Sequence, residues 1–310
     1  MHLIKVDYVQ VLADLQLQHP TEFNTSFHTA EEAPHYERPS EEPYSFKRWL
    51  ALILQSRGLR LESMQTIPFS RREARLLLDA AEASIQTRTV NRMFREDIDE
   101  EIIPKFSSLK FPKEGLFMRL NACSAKDGAR KNPQITSLHS AEEIVLLLVT
   151  SIRARNALFK CMETGEQFEL FFLPFDLRMR SENEYRVFCP PDGSTISGIS
   201  QYQWHKRWKH ADQTTEDAQQ LMRNISHGCE ALRLQILQAL RSDDETDNLL
   251  LKQGFSFDVL FDDQTKQCEL IELNVFGTRS ACGSCLFHWV RDGDMLYNAV
   301  HETAQFRVTA

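Results

Sequence analysis

Long apolar runs are missing from this chain. No uninterrupted stretch approaches the roughly 20 residues of a membrane span, so a membrane role is not expected. A basic excess is missing as well. Lys and Arg number 36 against 44 Asp and Glu, a formal charge of −8, and the pI is near 5.7. That balance argues against a general nucleic-acid binder and fits a soluble cytosolic protein or one whose partners are basic. There is no G-x-x-x-x-G-K-[ST] phosphate loop, no internal repeat and no low-complexity segment. The first residues, MHLIKVDYVQVLADLQ, carry acidic side chains early and no cleavage-site pattern, so they do not read as a signal peptide. Seven cysteines at no regular spacing give no disulfide framework and point to a reduced, intracellular protein, with cytoplasm the expected location. What remains is a chain of 310 residues, 42% hydrophobic, with enough apolar content for one large domain or two to three subdomains.

The most informative stretch is Phe255–Gly277, FSFDVLFDDQTKQCELIELNVFG. Two β-prone apolar runs flank the polar break Asp262–Gln267, which predicts an antiparallel hairpin with a loop longer than two residues. Side chains alternate along a strand, so Glu272 and Asn274 share a face. With the turn centred near Thr265, Asp258 falls opposite Glu272, and Leu260 and Leu270 are expected on the same face. Carboxylates facing each other across a ladder repel. A hard divalent cation relieves that repulsion, and Mg²⁺ is commonly held by one or two carboxylates plus nucleotide phosphates. Asp258, Glu272 and Asn274 are therefore a candidate Mg²⁺–nucleotide site. The competing reading is a strand face that merely carries polar residues.

Elsewhere the pattern predicts elements with less chemistry. Residues 1–18 read as a short helix, and His19–Pro43 as a polar linker. Ser45–Arg57 reads as an amphipathic helix stopped by Gly58. Ser70 with Glu73, and Ser140 with Glu143, form capping boxes that open helices. Leu116–Asn121 is a strand feeding a loop with Lys126, Asp127, Gly128, Arg130 and Lys131, which is either a phosphate cradle or a basic surface loop. Gln167–Phe175 reads as a buried strand. Asn183–Cys189 and Ser197–Tyr202 are strands joined through Asp192-Gly193. Alternation places Glu184, Arg186 and Phe188 on one face, so either the two charged residues pair with each other or with neighbours, or Arg186 faces an anion. Trp204–His210 interleaves aromatics with cations, a pattern more typical of a helix-edge surface than of base stacking. Glu216–Arg241 is a long helix with one apolar stripe. Cys282-x-x-Cys285 with His288 is a weak metal or redox candidate, lacking a second ligand pair. Asp294–Phe306 reads as a helix.

An ordered set of short segments goes further. LFMRLNACSAKDGA (Leu116–Ala129), NEYRVF (Asn183–Phe188), SGISQY (Ser197–Tyr202), FSFDVLFD (Phe255–Asp262), LIELNVFG (Leu270–Gly277) and CLFHW (Cys285–Trp289) occur in that order. Through them the chain, from about Ile103 to Trp289, resembles the cell division cycle 123 family. The resemblance implies an α+β, ATP-grasp architecture, two lobes with antiparallel sheets clasping a nucleotide. The expected divisions are a divergent, mostly helical region 1–104, a small lobe 105–180 and a C-terminal lobe 181–310. It implies that Arg119, standing where the family usually has Lys, and Lys126, Asp127 and Arg186 contact the nucleotide. It places Leu173, Phe175 and Asp176 at the adenine hinge, and makes Asp258, Glu272 and Asn274 the Mg²⁺ ligands, with Glu272 replacing the more usual Asp. The hinge departs from the family at Leu173-Pro174-Phe175. The segment after Gly277 lacks an expected acidic residue, with Gly283 near its place, and the N-terminal hundred residues match poorly.

Two functions follow as expectations. One is an ATP–Mg²⁺-binding chaperone that assembles eukaryotic translation initiation factor 2 by binding its gamma subunit. The other is an ATP-grasp ligase that activates a small carboxylate as an acyl phosphate for attack by an amine, with Arg186 and Lys126 as the catalytic electrostatic clamp.

Overall fold

The computed structural model describes residues 1–18, 21–298 and 304–310. The chain folds as two compact units, one formed by residues 1–59 with 178–310 and the other by residues 60–177. Elements are numbered in chain order.

The first unit is built on a mixed six-stranded sheet. Its strands are β1 (His2–Val6), β5 (Glu184–Cys189), β6 (Gly198–Gln201), β7 (Phe255–Asp262), β8 (Gln267–Val275) and β9 (Gln305–Thr309), in the spatial order β1-β9-β6-β5-β7-β8. β9 runs parallel to both of its neighbours, and the remaining pairs are antiparallel. The helices of this unit are α1 (Tyr8–Leu15), α2 (Phe46–Ser56), α7 (Thr215–Ala239), α8 (Glu245–Gln253) and α9 (Gly293–Tyr297). Helices α2 and α7 pack on β8. The expected stripe on α7 is the buried one: Leu221, Ile225, Cys229, Leu232 and Ile236 all face inward. β5 and β6 are joined through Asp192 and Gly193, whose φ values of 74° and 64° are those a tight hairpin turn demands, and Gly193 N–H closes onto Pro190 O at 2.9 Å.

The second unit holds a three-stranded antiparallel sheet, β2 (Gln65–Phe69), β4 (Phe168–Pro174) and β3 (Leu116–Leu120), with β4 in the middle. Its helices are α3 (Arg71–Ser84), the single turn α4 (Arg95–Asp97), α5 (Ala141–Val149) and α6 (Ile152–Thr164). One apolar core joins them, with Phe69, Leu77, Ile102, Phe106, Leu148 and Phe172 among its buried members. The box at Ser70 is complete: Ser70 Oγ accepts from Glu73 N–H, and Glu73 accepts from Ser70 N–H at 2.6 Å. The box at Ser140 is only half made. Ser140 Oγ accepts from Glu143 N–H, but Glu143 takes its bond from His139 N–H at 2.7 Å.

Several local expectations give way to long-range pairing. Residues 1–18 are not one helix. His2–Val6 form an edge strand, parallel to Gln305–Thr309 at the other end of the chain. No local pattern encodes a partner some 300 residues away, and in edge strands pairing outweighs propensity. The expected C-terminal helix is confined to Gly293–Tyr297, residues 299–303 lie outside the described residues, and Gln305–Phe306 begin β9. The described part of the expected linker is a packed strap. Asn24 N–H donates to Cys285 O at 2.7 Å and Phe27 N–H to Ser280 O at 2.8 Å. α8, which the sequence reading lacks, is capped by Asp244, whose carboxylate accepts from Thr246 and Asp247 N–H. The division into units differs from the one at 104/105, because β1, α1 and α2 join the sheet of the C-terminal part while β2 and α3 join the smaller sheet. The sheet of the first unit is mixed rather than purely antiparallel.

The cap at α3 gives a direct test. Ser70→Ala removes the acceptor for Glu73 N–H and is expected to lower the stability of the second unit by about 1 kcal/mol. Native-state hydrogen exchange of the α3 amides measures it, and unchanged protection in the first turn would contradict the assignment.

Candidate functional site

The site is a row of side chains that crosses the larger sheet. Ladder pairing puts Arg307 of β9 beside Ser200 of β6, Ser200 beside Arg186 of β5, Arg186 beside Asp258 of β7, and Asp258 beside Glu272 of β8. Residues opposite one another on neighbouring strands project to the same face. Four of these five residues are charged, in a sheet whose other positions on β5, β6 and β7 are almost all buried.

At its centre Arg186 meets Asp258. Nε donates to Oδ1 and Nη2 to Oδ2, both at 2.8 Å. Both residues are buried, with 7% of Arg186 and 1% of Asp258 exposed. Removing two charges from water is costly, and only this two-pronged geometry with further hydrogen bonds makes it tolerable. Those bonds are present. Nη1 of Arg186 donates to Gly283 O at 2.8 Å, and Nδ2 of Asn274 donates to Oδ2 of Asp258 at 3.1 Å. The Tyr202 ring lies 5.1 Å from the guanidinium carbon, within cation–π range. Arg186 was expected either to pair with its neighbours or to face an anion, and its counter-charge is Asp258.

Glu272 completes the acidic end, and the expected pairing with Asp258 is the observed one. Burial pushes the Asp258 carboxyl above its ordinary value. Arg186 opposes that shift, and Glu272 adds to it by charge and hydrogen bonding. Burial likewise raises the Tyr202 hydroxyl, helped by the charge of Asp258. Arg186 is held charged by Asp258 against the cost of its burial. Leu270 departs from expectation: it pairs with Val259, and Glu269 takes the place opposite Leu260. Glu269 is matched by Arg178, with Nη1 to Oε1 at 2.6 Å and Nη2 to Oε2 at 3.1 Å.

The loop after β8 is tied to the same row. Arg307 pairs with Asp292 at 2.7 and 2.8 Å and donates to Leu286 O at 3.1 Å, while Leu286 N–H donates to Ser200 Oγ at 3.1 Å. Gly283, near the place of the missing acidic residue, thus supplies a carbonyl to Arg186 instead of a carboxylate. Asn24 packs so closely on Gly283 that a Cβ there would clash with its side-chain oxygen. The Cys282–Cys285–His288 group does not behave as a metal site. Cys282 Sγ lies against Ser256 Oγ at 3.3 Å, and His288 Nδ1 accepts from Val290 and Arg291 N–H.

Among the described residues, no group of three or more His, Cys, Asp or Glu side chains is arranged to hold a metal. The donor set at the row's end is two carboxylates and an amide oxygen. All are hard oxygen ligands, few in number, which fits a Mg²⁺ ion that takes its remaining ligands from phosphate and water.

The other expected site residues belong to the second unit. Arg119 is buried on β3 opposite Phe171, and Leu173 is buried on β4 opposite Phe117. Phe175 N–H donates to Gly115 O at 3.0 Å, and Phe175 and Asp176 are both half-buried. Lys126 is exposed. Asp127 caps α6: it accepts from the Ser151 hydroxyl at 2.6 Å and from Arg153 N–H at 3.3 Å. Gly128 N–H is bonded to Ala125 O and Ala129 N–H to Thr150 Oγ1, so two of the loop's backbone donors are already used. The sequence reading missed Tyr202, Arg307, Asp292 and the Gly283 carbonyl. Arg307 carried a signal only if its segment is a strand. Tyr202 ends a segment read as a strand, two residues beyond Ser200, so alternation could have found it. Asp292 and the Gly283 carbonyl act from loops, where alternation gives no direction.

No family model and no curated protein matches the chain. Solved structures do. Cdc123 from Schizosaccharomyces pombe aligns with a TM-score of 0.55 at 18% identity, covering 87% of this chain and 96% of that one. A C-terminally truncated form of the same protein aligns with a TM-score of 0.55 at 16% identity, covering 86% and 95%. At such identities the likeness is one of fold, and the chain has the α+β fold of Cdc123.

Proposed function

We propose that this protein binds ATP with Mg²⁺ in an ATP-grasp manner and serves as an assembly factor for eukaryotic translation initiation factor 2, binding its gamma subunit. The observation that carries the nucleotide part is the facing pair Asp258–Glu272 with Asn274 two residues on. The partner part is supported by the fold shared with Cdc123 and by the ordered segments of the sequence.

In this reading Asp258, Glu272 and Asn274 hold the cation. Mg²⁺ supplies charge neutralisation for the phosphates. Arg186 orients the Asp258 carboxylate through two parallel bonds and opposes the rise in its pKa that burial causes. Arg119 and Lys126 contact phosphate, and Leu173, Phe175 and Asp176 hold adenine, as the resemblance implies. Asp127 acts indirectly, by tying its loop to the start of α6. The ligase alternative gains nothing here. It needs Arg186 as a clamp, and three of that residue's donor bonds go to Asp258 and Gly283.

Calorimetry tests the nucleotide site. ATP is expected to bind in the presence of Mg²⁺, and Asp258→Ala combined with Glu272→Ala should weaken it by at least about tenfold. Unchanged affinity in the folded double variant would refute the site. A pull-down from eukaryotic lysate with mass spectrometry tests the partner: the gamma subunit should be retained, and its absence counts against the chaperone reading.

A site built from facing carboxylates strains the protein that carries it. Glu272→Gln should therefore stabilise the nucleotide-free protein by about 0.5 kcal/mol at neutral pH. The pH dependence has a definite sign. Folding raises the Asp258 pKa, so the proton is held more tightly in the folded chain. The stability this contributes is present below the unfolded value of about 3.9 and is lost as pH rises through the folded one. Without the Glu272 charge the shift is smaller, so the variant should lose less stability between about pH 4 and pH 7. Urea midpoints across that range measure both effects, and parallel curves for the two proteins would contradict them.

A further inference from the structure

The hairpin changes register once. From the turn inward, Asp262 pairs with Gln267, Phe261 with Cys268, Leu260 with Glu269 and Val259 with Leu270. Beyond Val259 the pairing shifts, so that Asp258 faces Glu272, Phe257 faces Leu273 and Ser256 faces Asn274. Ile271 is the extra residue of a β-bulge. Its consequence is large. Continued without the bulge, the ladder would put Ile271 opposite Asp258 and Leu273 opposite Ser256. A one-residue shift exchanges the faces of a strand, so Glu272 and Asn274 would leave the face of Asp258. The paired carboxylates exist because of the bulge.

β8 is the last strand of the sheet, so its outward backbone groups have no neighbouring strand to pair with. At the bulge the end of α2 receives them. Ser56 Oγ accepts from Leu270 N–H at 2.9 Å while its own hydroxyl donates to Ile53 O at 2.9 Å. Arg57, the residue that caps α2, donates from Nε to Leu270 O at 3.0 Å, and its Nη2 reaches Ile271 O at 3.4 Å. Gly58 follows at a φ of 65°, which turns the chain away directly after Arg57.

We propose that Ser56 and Arg57 are positioning residues for the cation site: by holding the bulge at Leu270-Ile271 they set Glu272 and Asn274 on the face of Asp258. The proposal rests on the reading of Asp258, Glu272 and Asn274 as Mg²⁺ ligands. Both residues bond to the β8 backbone at Leu270 and Ile271, directly before Glu272.

The full chain carrying Ser56→Ala with Arg57→Ala tests it, with two readouts. The first is nucleotide affinity, measured with ATP and Mg²⁺ and again with ATP and a chelator. The second is the pattern of cross-strand backbone nuclear Overhauser contacts, which reports whether Asp258 faces Glu272. The double variant should lose about tenfold or more in the Mg²⁺-dependent part of the affinity, keep its Mg²⁺-free affinity, and weaken the Asp258–Glu272 contact. Arg57→Lys keeps one donor and should fall between; it also serves if the double variant does not fold. Deleting Ile271 restores a regular ladder with Glu272 still opposite Asp258, so in that background the Ser56 and Arg57 substitutions should no longer affect Mg²⁺ dependence. The proposal is overturned if the folded double variant keeps both the contact and the Mg²⁺ dependence. It is also overturned if the loss is as large when Ile271 is deleted, which marks a general packing role for α2. If the parent protein shows no Mg²⁺-dependent ATP binding, it is the cation reading that fails, and the contact pattern alone decides whether Ser56 and Arg57 hold the register.

Discussion

Everything at the centre of the larger sheet depends on one ion pair, Arg186 with Asp258. Two charges sit inside a sheet whose neighbouring positions are apolar, and neither has enough water around it to be stable alone. The pair survives because each spare donor or acceptor is given work. Gly283 O takes a third Arg186 hydrogen, Asn274 donates to Asp258, and Tyr202 covers the guanidinium. The same bonds shape the chain around the pair. Gly283 is drawn down onto β5, and three residues later Leu286 is bonded to Ser200 and Arg307 of the same row. One polar row thus fixes both the strand pairing and the loop that covers it.

Within that row two carboxylates stand side by side. Arg186 satisfies Asp258, and Glu272 adds a second carboxylate beside it that raises the Asp258 carboxyl further. A sequence optimised only for folding would place an apolar or neutral residue there. Departures of this kind from local consistency are where function is to be sought. The bulge at Ile271 makes the same point geometrically, since a regular hairpin would have separated the two carboxylates. The protein keeps an irregular ladder, bonded at the bulge to the end of α2, and the outcome is a compact set of polar side chains at the end of the row.

Much of this was legible from the residues. The hairpin, the strand at Arg186, the stripe on α7 and the box at Ser70 all rest on patterns that span a few turns or one hairpin, where periodicity and capping chemistry act directly. The pairing of Asp258 with Glu272 was reached from a turn centred at Thr265. The ladder near the turn is in fact offset from that centre, and the bulge restores it. The pairing was therefore right while the faces nearer the turn were not, as Leu270 shows. The largest misjudgements are non-local. β1 and β9 join opposite ends of the chain, and the strap at Asn24–Phe27 lies on a loop some 250 residues away.

The sequence by itself determined the local elements, the α+β class and the identity of the polar residues that interrupt the apolar strands. Those depend on side-chain chemistry at short spacing, which survives in the unfolded chain. Tertiary structure alone decided which charges meet. Arg186 and Asp258 are 72 residues apart, and Ser56 reaches Leu270 across 214. Only folding removes the water that would otherwise screen such groups, so only folding makes a two-pronged ion pair necessary and a second carboxylate beside it costly.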